Sequence, residues 1–299
     1  MSNNYLPKVS IVTPSYNQAE FLEETILSVL NQTYPNIEYI IVDGGSTDGS
    51  VEIIKKYEDR LAWWVSEPDN GQSDAINKGF MHATGDIYNW INSDDLLCPG
   101  AVEMAVHFLE KLKDSCQMVF GDRLIIDQNS NIIDIYEAPS FSMKFPPMLT
   151  KLPQESAFFT AELWKKVNGL DVSLHYVMDT DLWYRFLKHT FFFHIPVFMG
   201  KYRKHDDSKS VFGMGSSQNL NKRALEEFKF LQDHYGNFLT RSNRTKKIMR
   251  LVSQLRLVYQ KNKRERRLLK EEALNAFYRG FPQKINQQCC SSFKRLRQT

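Results

Sequence analysis

Apolar positions in the first ninety residues fall into short runs separated by stretches of helical spacing. Val9-Ser10-Ile11-Val12 reads as a strand that ends at Thr13-Pro14. Phe21, Ile26, Val29 and Leu30 then recur at helical spacing, as on one face of a helix reaching about Asn31. Ile37 to Val42 is apolar at nearly every position, which predicts a strand covered on both faces. A turn rich in glycine follows, Asp43-Gly44-Gly45-Ser46-Thr47-Asp48-Gly49, whose Ser and Asp residues suit the start of the helix continued by Val51, Ile53 and Ile54. Ala62 to Val65 is a third strand, Asp74 to Met81 a third helix, and Ile87 to Ile91 a fourth strand. This βαβα rhythm predicts an α/β fold with a mostly parallel central sheet flanked by helices.

The rhythm changes after Pro99. A helix over about Gly100 to Lys111 leads to Met118-Val119-Phe120, and strand-like runs flank the turn Asp127-Gln128-Asn129-Ser130-Asn131. A segment broken by Pro139, Pro146, Pro147 and Pro153 precedes a helix near Glu162 to Val167 and the segment Met178 to Lys188. The apolar stretch around Phe191-Phe192-Phe193 is interrupted by His194 and Pro196 and is too short to span a bilayer. Trp63, Trp64, Trp164 and Trp183 read as packing residues.

Charge divides the chain. Residues 219–299 carry 20 Lys/Arg against 6 Asp/Glu, and the first 218 carry 18 against 29. That asymmetry, with the small residues Gly213 to Ser217, predicts an α/β domain over 1–215 and a basic helical extension over 216–299. In the extension, Ile248, Leu251, Val252, Leu255 and Tyr259 mark one apolar helix face, and a basic cluster follows at Lys261, Lys263, Arg264, Arg266 and Arg267. Such a helix either docks on the α/β domain or lies on an anionic membrane. No nucleic-acid recognition motif accompanies the charge, so nucleic acid is not expected as a partner. The Met-Ser-Asn-Asn start lacks the pattern of a signal peptide. Cys98, Cys116, Cys289 and Cys290 show no framework spacing. A cytoplasmic protein is expected, with the inner membrane face as its alternative station.

Four polar sites lie just after a strand or at a helix start. Pro14-Ser15-Tyr16-Asn17 offers an aromatic face, and Asp43 ends the second strand. Gly71-Gln72-Ser73-Asp74 opens a helix whose N–H groups favour anions. Asn92-Ser93-Asp94-Asp95 places two adjacent carboxylates at the tip of a buried strand, in the crevice where open α/β sheets bind ligands. Such neighbours repel each other, and a cation relieves them. Oxygen ligands point to Mg²⁺ or Mn²⁺, the companions of phosphate groups. The four sites together favour a nucleoside-diphosphate ligand.

These motifs, in this order, resemble glycosyltransferase family 2, the inverting transferases of the GT-A fold, over roughly residues 7–210. The pieces are V-S-I-V-T-P-S-Y-N at Val9–Asn17, Asn31-Gln32-Thr33-Tyr34, V-D-G-G-S-T-D-G at Val42–Gly49, Asn92–Asp95, and M-D-T-D-L-W-Y-R at Met178–Arg185. The resemblance implies transfer of a sugar from a nucleotide-sugar donor, often UDP-linked, to an acceptor hydroxyl. Carried over by position, Pro14 and Tyr16 line the base with Asp43 beside them. Asp94 faces ribose or sugar, Asp95 binds the metal, Asp179 is the general base, and Asp181 supports its helix. His205 matches, more loosely, a residue that touches metal or diphosphate. Many relatives carry a second Asp where this chain has Gly44, and Asp74 is the expected substitute contact to the base.

Gln154-Glu155-Ser156 is either a sugar-contacting loop or a structural one. A nucleotidyltransferase would share the sheet, but Thr13–Asn17 lacks its glycine-rich basic loop. A non-catalytic sugar-nucleotide or glycan-binding module would be expected to have lost Asp95 or Asp179. The acceptor implied is a glycan or lipid-linked glycan in cell-surface or exported polysaccharide assembly, with the extension in peripheral contact with the membrane.

Overall fold

Four strands form the part of the sheet that the apolar runs predict. In the computed structural model, which describes residues 5–138, 152–205 and 222–235, these are β1 (Val9–Ser15), β2 (Ile37–Asp43), β3 (Trp63–Ser66) and β4 (Ile87–Trp90). β1 lies between β2 and β4, and all three neighbouring pairs, including β2 with β3, are parallel. Helices α1 (Ala19–Leu30), α2 (Ser50–Lys56) and α3 (Gln72–His82) make the crossovers. Gly79 of α3 sits so close to β1 that a Cβ would stand 2.5 Å from Val12, so helix and sheet meet at backbone distance. The carboxyl ends of the four strands therefore open on one edge, where the order of the strands reverses around β1.

The second half makes the sheet mixed. A two-residue strand β5 (Leu96–Leu97), helix α4 (Ala101–Lys111), β6 (Cys116–Ile126), β7 (Ile132–Tyr136), β8 (Ala157–Thr160), helices α5 (Ala161–Val167) and α6 (Met178–Phe186), and β9 (Phe191–Arg203) follow. Among the described residues nine strands join one sheet in the order β3-β2-β1-β4-β8-β6-β9-β5, with β7 beside β6. β8 is antiparallel to both β4 and β6, while β9 runs parallel to β6. Pro196 is accommodated because the β6–β9 register skips there, from Gly121↔Ile195 to Asp122↔Phe198.

Two apolar layers cover the faces. One packs Val12, Ile40, Trp90, Phe120, Phe159, Trp164 and Trp183 together, and the other joins Val9, Ile11, Ile41 and Ile91 to Leu22, Ile26, Val102 and Phe108 of α1 and α4. Trp164 and Trp183 are thus core residues, and Trp63 and Trp64 pack against the two layers half-buried.

A last helix, α7 (Lys222–Tyr235), packs on α6. The Tyr235 ring stacks on Tyr184 at 4.4 Å, and Glu227 accepts the backbone N–H groups of His175 and Tyr176 at 3.0 and 2.7 Å. The amphipathic stretch at 248–259, the basic cluster after it, Cys289, Cys290 and the 215/216 boundary lie outside the described residues. Among the described residues no helix is long and apolar enough to cross a membrane.

Candidate active site

The loops after β1 and β2 are knitted into one surface. Gly44 donates its N–H to the Ser15 carbonyl at 2.8 Å, Asn17 donates its N–H to Ser46 Oγ at 2.8 Å, and Asn17 Oδ1 accepts from Thr47 N–H at 2.9 Å. Asn17 takes a left-handed backbone (φ 50), which its short polar side chain tolerates. Tyr16 is 62% exposed at the rim of this surface, while Pro14 is buried in β1. Asp43 is fully buried. It accepts from Gly45 N–H (3.1 Å), Ser46 N–H (2.8 Å), Ser66 Oγ (2.7 Å) and Ser46 Oγ (2.5 Å). Four bonds fill a carboxylate's acceptor positions. Asp43 therefore builds the turn, and Pro14 the strand under it, leaving Tyr16 as the group that faces outward.

Gly44 leaves room that another residue uses. A Cβ on it would stand 2.8 Å from Asp69 Oδ2 and 3.2 Å from the Tyr16 ring. Asp69 comes from the Glu67-Pro68-Asp69-Asn70 loop after β3, and its other oxygen accepts the Gly71 N–H at 2.8 Å. Asp74, the substitute expected from the sequence, instead accepts from the backbone and side-chain amides of Asn70 at 3.0 and 3.2 Å. The carboxylate beside Tyr16 and Gly44 is thus that of Asp69, and Asp74 shapes its loop.

The acidic turn is fixed from three sides. Asp95 is 2% exposed, and its Oδ1 accepts the Arg203 backbone N–H at 2.9 Å. Asn92 Nδ2 reaches Asp95 Oδ2 at 3.3 Å, and Asn92 Oδ1 accepts from Gln72 Nε2 at the head of α3, at 2.7 Å. From α1, the Thr25 hydroxyl meets the carbonyls of Ser93 and Asp95 at 2.9 and 2.8 Å. The buried Arg203 side chain donates Nε to the Asp94 carbonyl (2.8 Å) and Nη2 to Glu24 (2.6 Å). Its Nη1 is shared among Ser130 Oγ and the carbonyls of Asp127 and Gln128, at 2.9 to 3.2 Å. His205 Nε2 lies 3.1 Å from Asp94 Oδ2, its ring packed on Phe21 at 4.7 Å. The structure therefore joins His205 to Asp94 at the mouth of the turn.

Burial, then the charges of Asp94 and Glu155, push the Asp95 carboxyl well above the usual carboxylate range. Asp179, in the first turn of α6, is also pushed up by burial, against hydrogen bonds from Thr180 and the charge of Arg123. Thr180 donates its N–H to Asp179 Oδ1 at 2.6 Å. Asp181 points the other way. It pairs with Arg185 at 2.7 Å and accepts from Tyr235 Oη at 2.5 Å, so it braces the helix that presents Asp179.

A family model described as "Glycosyl transferase family 2" matches residues 10–162, the stretch that holds β1 to β4, the Tyr16 surface and the Asp94–Asp95 turn. The chain belongs to glycosyl transferase family 2. An uncharacterised glycosyltransferase of Rickettsia typhi is 30% identical over 273 residues, covering 87% of this chain and 82% of the relative. Among solved structures, Staphylococcus aureus TarS in complex with UDP-GlcNAc superposes with a TM-score of 0.63 at 15% identity, over 94% of this chain and 83% of that one. A mannosyltransferase of Pyrobaculum calidifontis in complex with GDP-Man and Mn²⁺ gives 0.56 at 18% identity, over 91% and 86%. These likenesses show the GT-A fold, and family membership makes the protein a glycosyltransferase.

Within this family 2 glycosyltransferase, Asp94 and Asp95 are adjacent carboxylates with His205 Nε2 3.1 Å from Asp94 Oδ2, donor types that suit a divalent ion. Among the described residues no three His, Cys, Asp or Glu side chains cluster as a complete ligand set. Two carboxylates fit an ion that keeps waters and takes phosphate oxygens for the rest of its shell. The buried charge on Asp95 is what such an ion would relieve. Three residues went unseen in the sequence: Asp69, Arg123 and Arg203. The signal for the last two was a single arginine in or closing an otherwise apolar strand.

Proposed function

We propose that the protein transfers a sugar, with inversion, from a UDP-linked donor to an acceptor hydroxyl. Asp179 serves as general base, and Mg²⁺ or Mn²⁺ is held at Asp95 with Asp94 and His205. The observation that carries this reading is the buried acidic turn after β4, where Asp95 is fixed against the Arg203 backbone and Asp94 meets His205. Tyr16 and Asp69 supply an aromatic face and a carboxylate for the nucleotide base. Asp94 and the His205 ring stand at the mouth of the crevice, within reach of ribose or diphosphate. Asp179 takes the acceptor proton as the new glycosidic bond forms and the diphosphate leaves from the opposite face. A bound divalent ion supplies charge stabilisation to the departing diphosphate, an effect of several kcal/mol. The ligands of the TarS and mannosyltransferase structures, a UDP-sugar in one and a GDP-sugar with Mn²⁺ in the other, support both the donor class and the ion.

A thermal-shift panel of UDP-, GDP- and dTDP-sugars with and without Mn²⁺ tests this. A ligand that binds only the folded state raises the melting temperature by mass action. UDP-sugars are expected to raise it in the presence of Mn²⁺ and much less with EDTA. A metal-independent shift removes the ion from the reading, and a shift confined to GDP- or dTDP-sugars replaces the nucleotide.

We place the enzyme on the cytoplasmic side of a membrane, with a glycan or lipid-linked glycan acceptor of cell-surface assembly. The positive balance of residues 219–299 supports this. Vesicles containing anionic lipid should sediment the full chain in low salt and release it in high salt. Equal binding by a chain ending at Tyr235 would overturn that placement.

A further inference from the structure

Between the acidic turn and the head of α6 lies an ion pair that the reaction described above does not use. Arg123, on β6, bonds Glu155 through Nη2 and Oε2 at 2.7 Å. The guanidinium lies 5.1 Å from the Tyr202 ring and 5.8 Å from the Tyr136 ring. In the β6–β9 register Arg123 stands opposite Gly200, and a Cβ on that glycine would sit 2.4 Å from Glu155 Cγ. The neighbouring Lys201 pairs with Leu96, the residue after Asp95, so the ion pair adjoins the acidic turn. On the other side, Gln154 donates to the Trp90 carbonyl at 2.7 Å, and the Trp90 ring stacks on Trp183 of α6 at 5.5 Å.

The pair is incompletely satisfied. Glu155 is 1% exposed, yet its Oε1 has no hydrogen-bond partner, and neither has the buried Nε of Arg123. A buried carboxylate oxygen without a donor costs about 1–3 kcal/mol or more, so a native structure that keeps one invites a ligand that supplies it. Its neighbours differ: Ser156 Oγ is spent on the carbonyls of Gly121 and Pro153, and Gln154 on Trp90. Of the pair, Arg123 is the partner that reaches solvent, its side chain 19% exposed against 1% for Glu155.

We infer that Arg123 and Glu155 read the hydroxyl groups of the sugar being transferred, the arginine donating to one and the Glu155 Oε1 accepting from its neighbour. This rests on the glycosyl-transfer reading above. A free donor beside a free acceptor, flanked by two aromatic rings, matches the chemistry of a vicinal diol on an apolar sugar face. The transferred ring must lie between the leaving diphosphate and the base. Arg123 stands opposite Gly200, next to the Lys201 that pairs with Leu96, which sets the ion pair beside the acidic turn.

Isothermal titration of wild type and Glu155→Gln separates this role from a structural one. The probes are the nucleotide sugar that most stabilises the wild type and the matching nucleoside diphosphate. Glu155→Gln should bind the nucleotide sugar about ten- to a hundredfold more weakly, the worth of a hydrogen bond to a charged group, and the nucleoside diphosphate within about twofold of wild type. It should also lose discrimination between donors that differ at one hydroxyl, such as UDP-glucose and UDP-galactose. Equal weakening toward both probes, or none, overturns the inference. If Glu155→Gln does not fold, Arg123→Lys is read on the same scale. Wild-type protein that binds no nucleoside diphosphate overturns the glycosyl-transfer reading itself, and this inference with it.

Discussion

Replacing Asp179 by Asn is expected to lower turnover roughly a hundred- to ten-thousandfold, the usual worth of a positioned general base. Donor affinity should stay near that of wild type, because Asp179 sits on α6 and not in the Asp94–Asp95 turn. The substitution is nearly isosteric, and the Asn Oδ1 can still accept the Thr180 N–H. The pH profile gives the assignment its second leg. Only the ionised carboxylate can take the acceptor proton, and burial raises its pKa. The acid limb of kcat/KM should therefore lie above the ordinary aspartate range, with activity rising as pH passes through it. Removing the positive charge of Arg123 should move that limb to still higher pH, since Arg123 is one of the influences holding the pKa down. Asp95 is raised as well, so the decisive result is a limb that vanishes in Asp179→Asn. Near-normal turnover in that variant would remove Asp179 from the role.

Arg203→Met should be the most damaging change to stability outside the apolar layers. The Arg203 side chain is fully buried and ties Glu24 of α1, the Asp94 carbonyl and the β6–β7 turn at Asp127, Gln128 and Ser130 into one knot. Its loss takes a donor from the Asp94 and Gln128 carbonyls and the buried ion-pair partner from Glu24, while the Asp127 carbonyl keeps the Ser130 N–H. Breaking buried polar networks of this kind costs about 3–5 kcal/mol. For a chain of this size that corresponds to a melting temperature lower by roughly 6–20 °C, measurable by calorimetry. Arg203→Lys should recover little, because an ammonium is a single point and cannot span three directions as the planar guanidinium does. A melting temperature within about 2 °C of wild type in Arg203→Met would show that the knot is dispensable.

The half of the sheet built from consecutive βα units was legible in the sequence because each strand carries its own signal, a short apolar run with a turn behind it. β1 to β4 appear within a residue or two of their expected places, as does α4. The other half was not. β6 pairs with three strands drawn from positions 132–203, and nothing local in Met118 to Ile126 says which partners it takes or in which direction. β9 was masked by Pro196, which the skipped register absorbs. At the candidate site, the adjacent carboxylates of the acidic turn and the acidic first turn of α6 stand out in the sequence, and the structure joins His205 to Asp94 and sets Asp179 at a helix head. Residues that act by filling space escaped. Asp69 matters because Gly44 has no side chain, and the sequence places those two residues 25 positions apart with no periodicity to join them.

The hydrogen bond from Tyr235 to Asp181 has a consequence for the order in which the enzyme is made. Synthesis runs from the N-terminal to the C-terminal side, so the sheet, the acidic turn and α6 all emerge before the segment that braces α6. Until residue 235 has been added, Asp181 has Arg185 but not the tyrosine hydroxyl, and Tyr184 lacks the ring that stacks on it. The helix bearing Asp179 therefore gains its full set of supports only when Tyr235, 54 residues beyond Asp181, has been added, and a chain interrupted before then holds Asp94, Asp95 and Asp179 without the brace on α6.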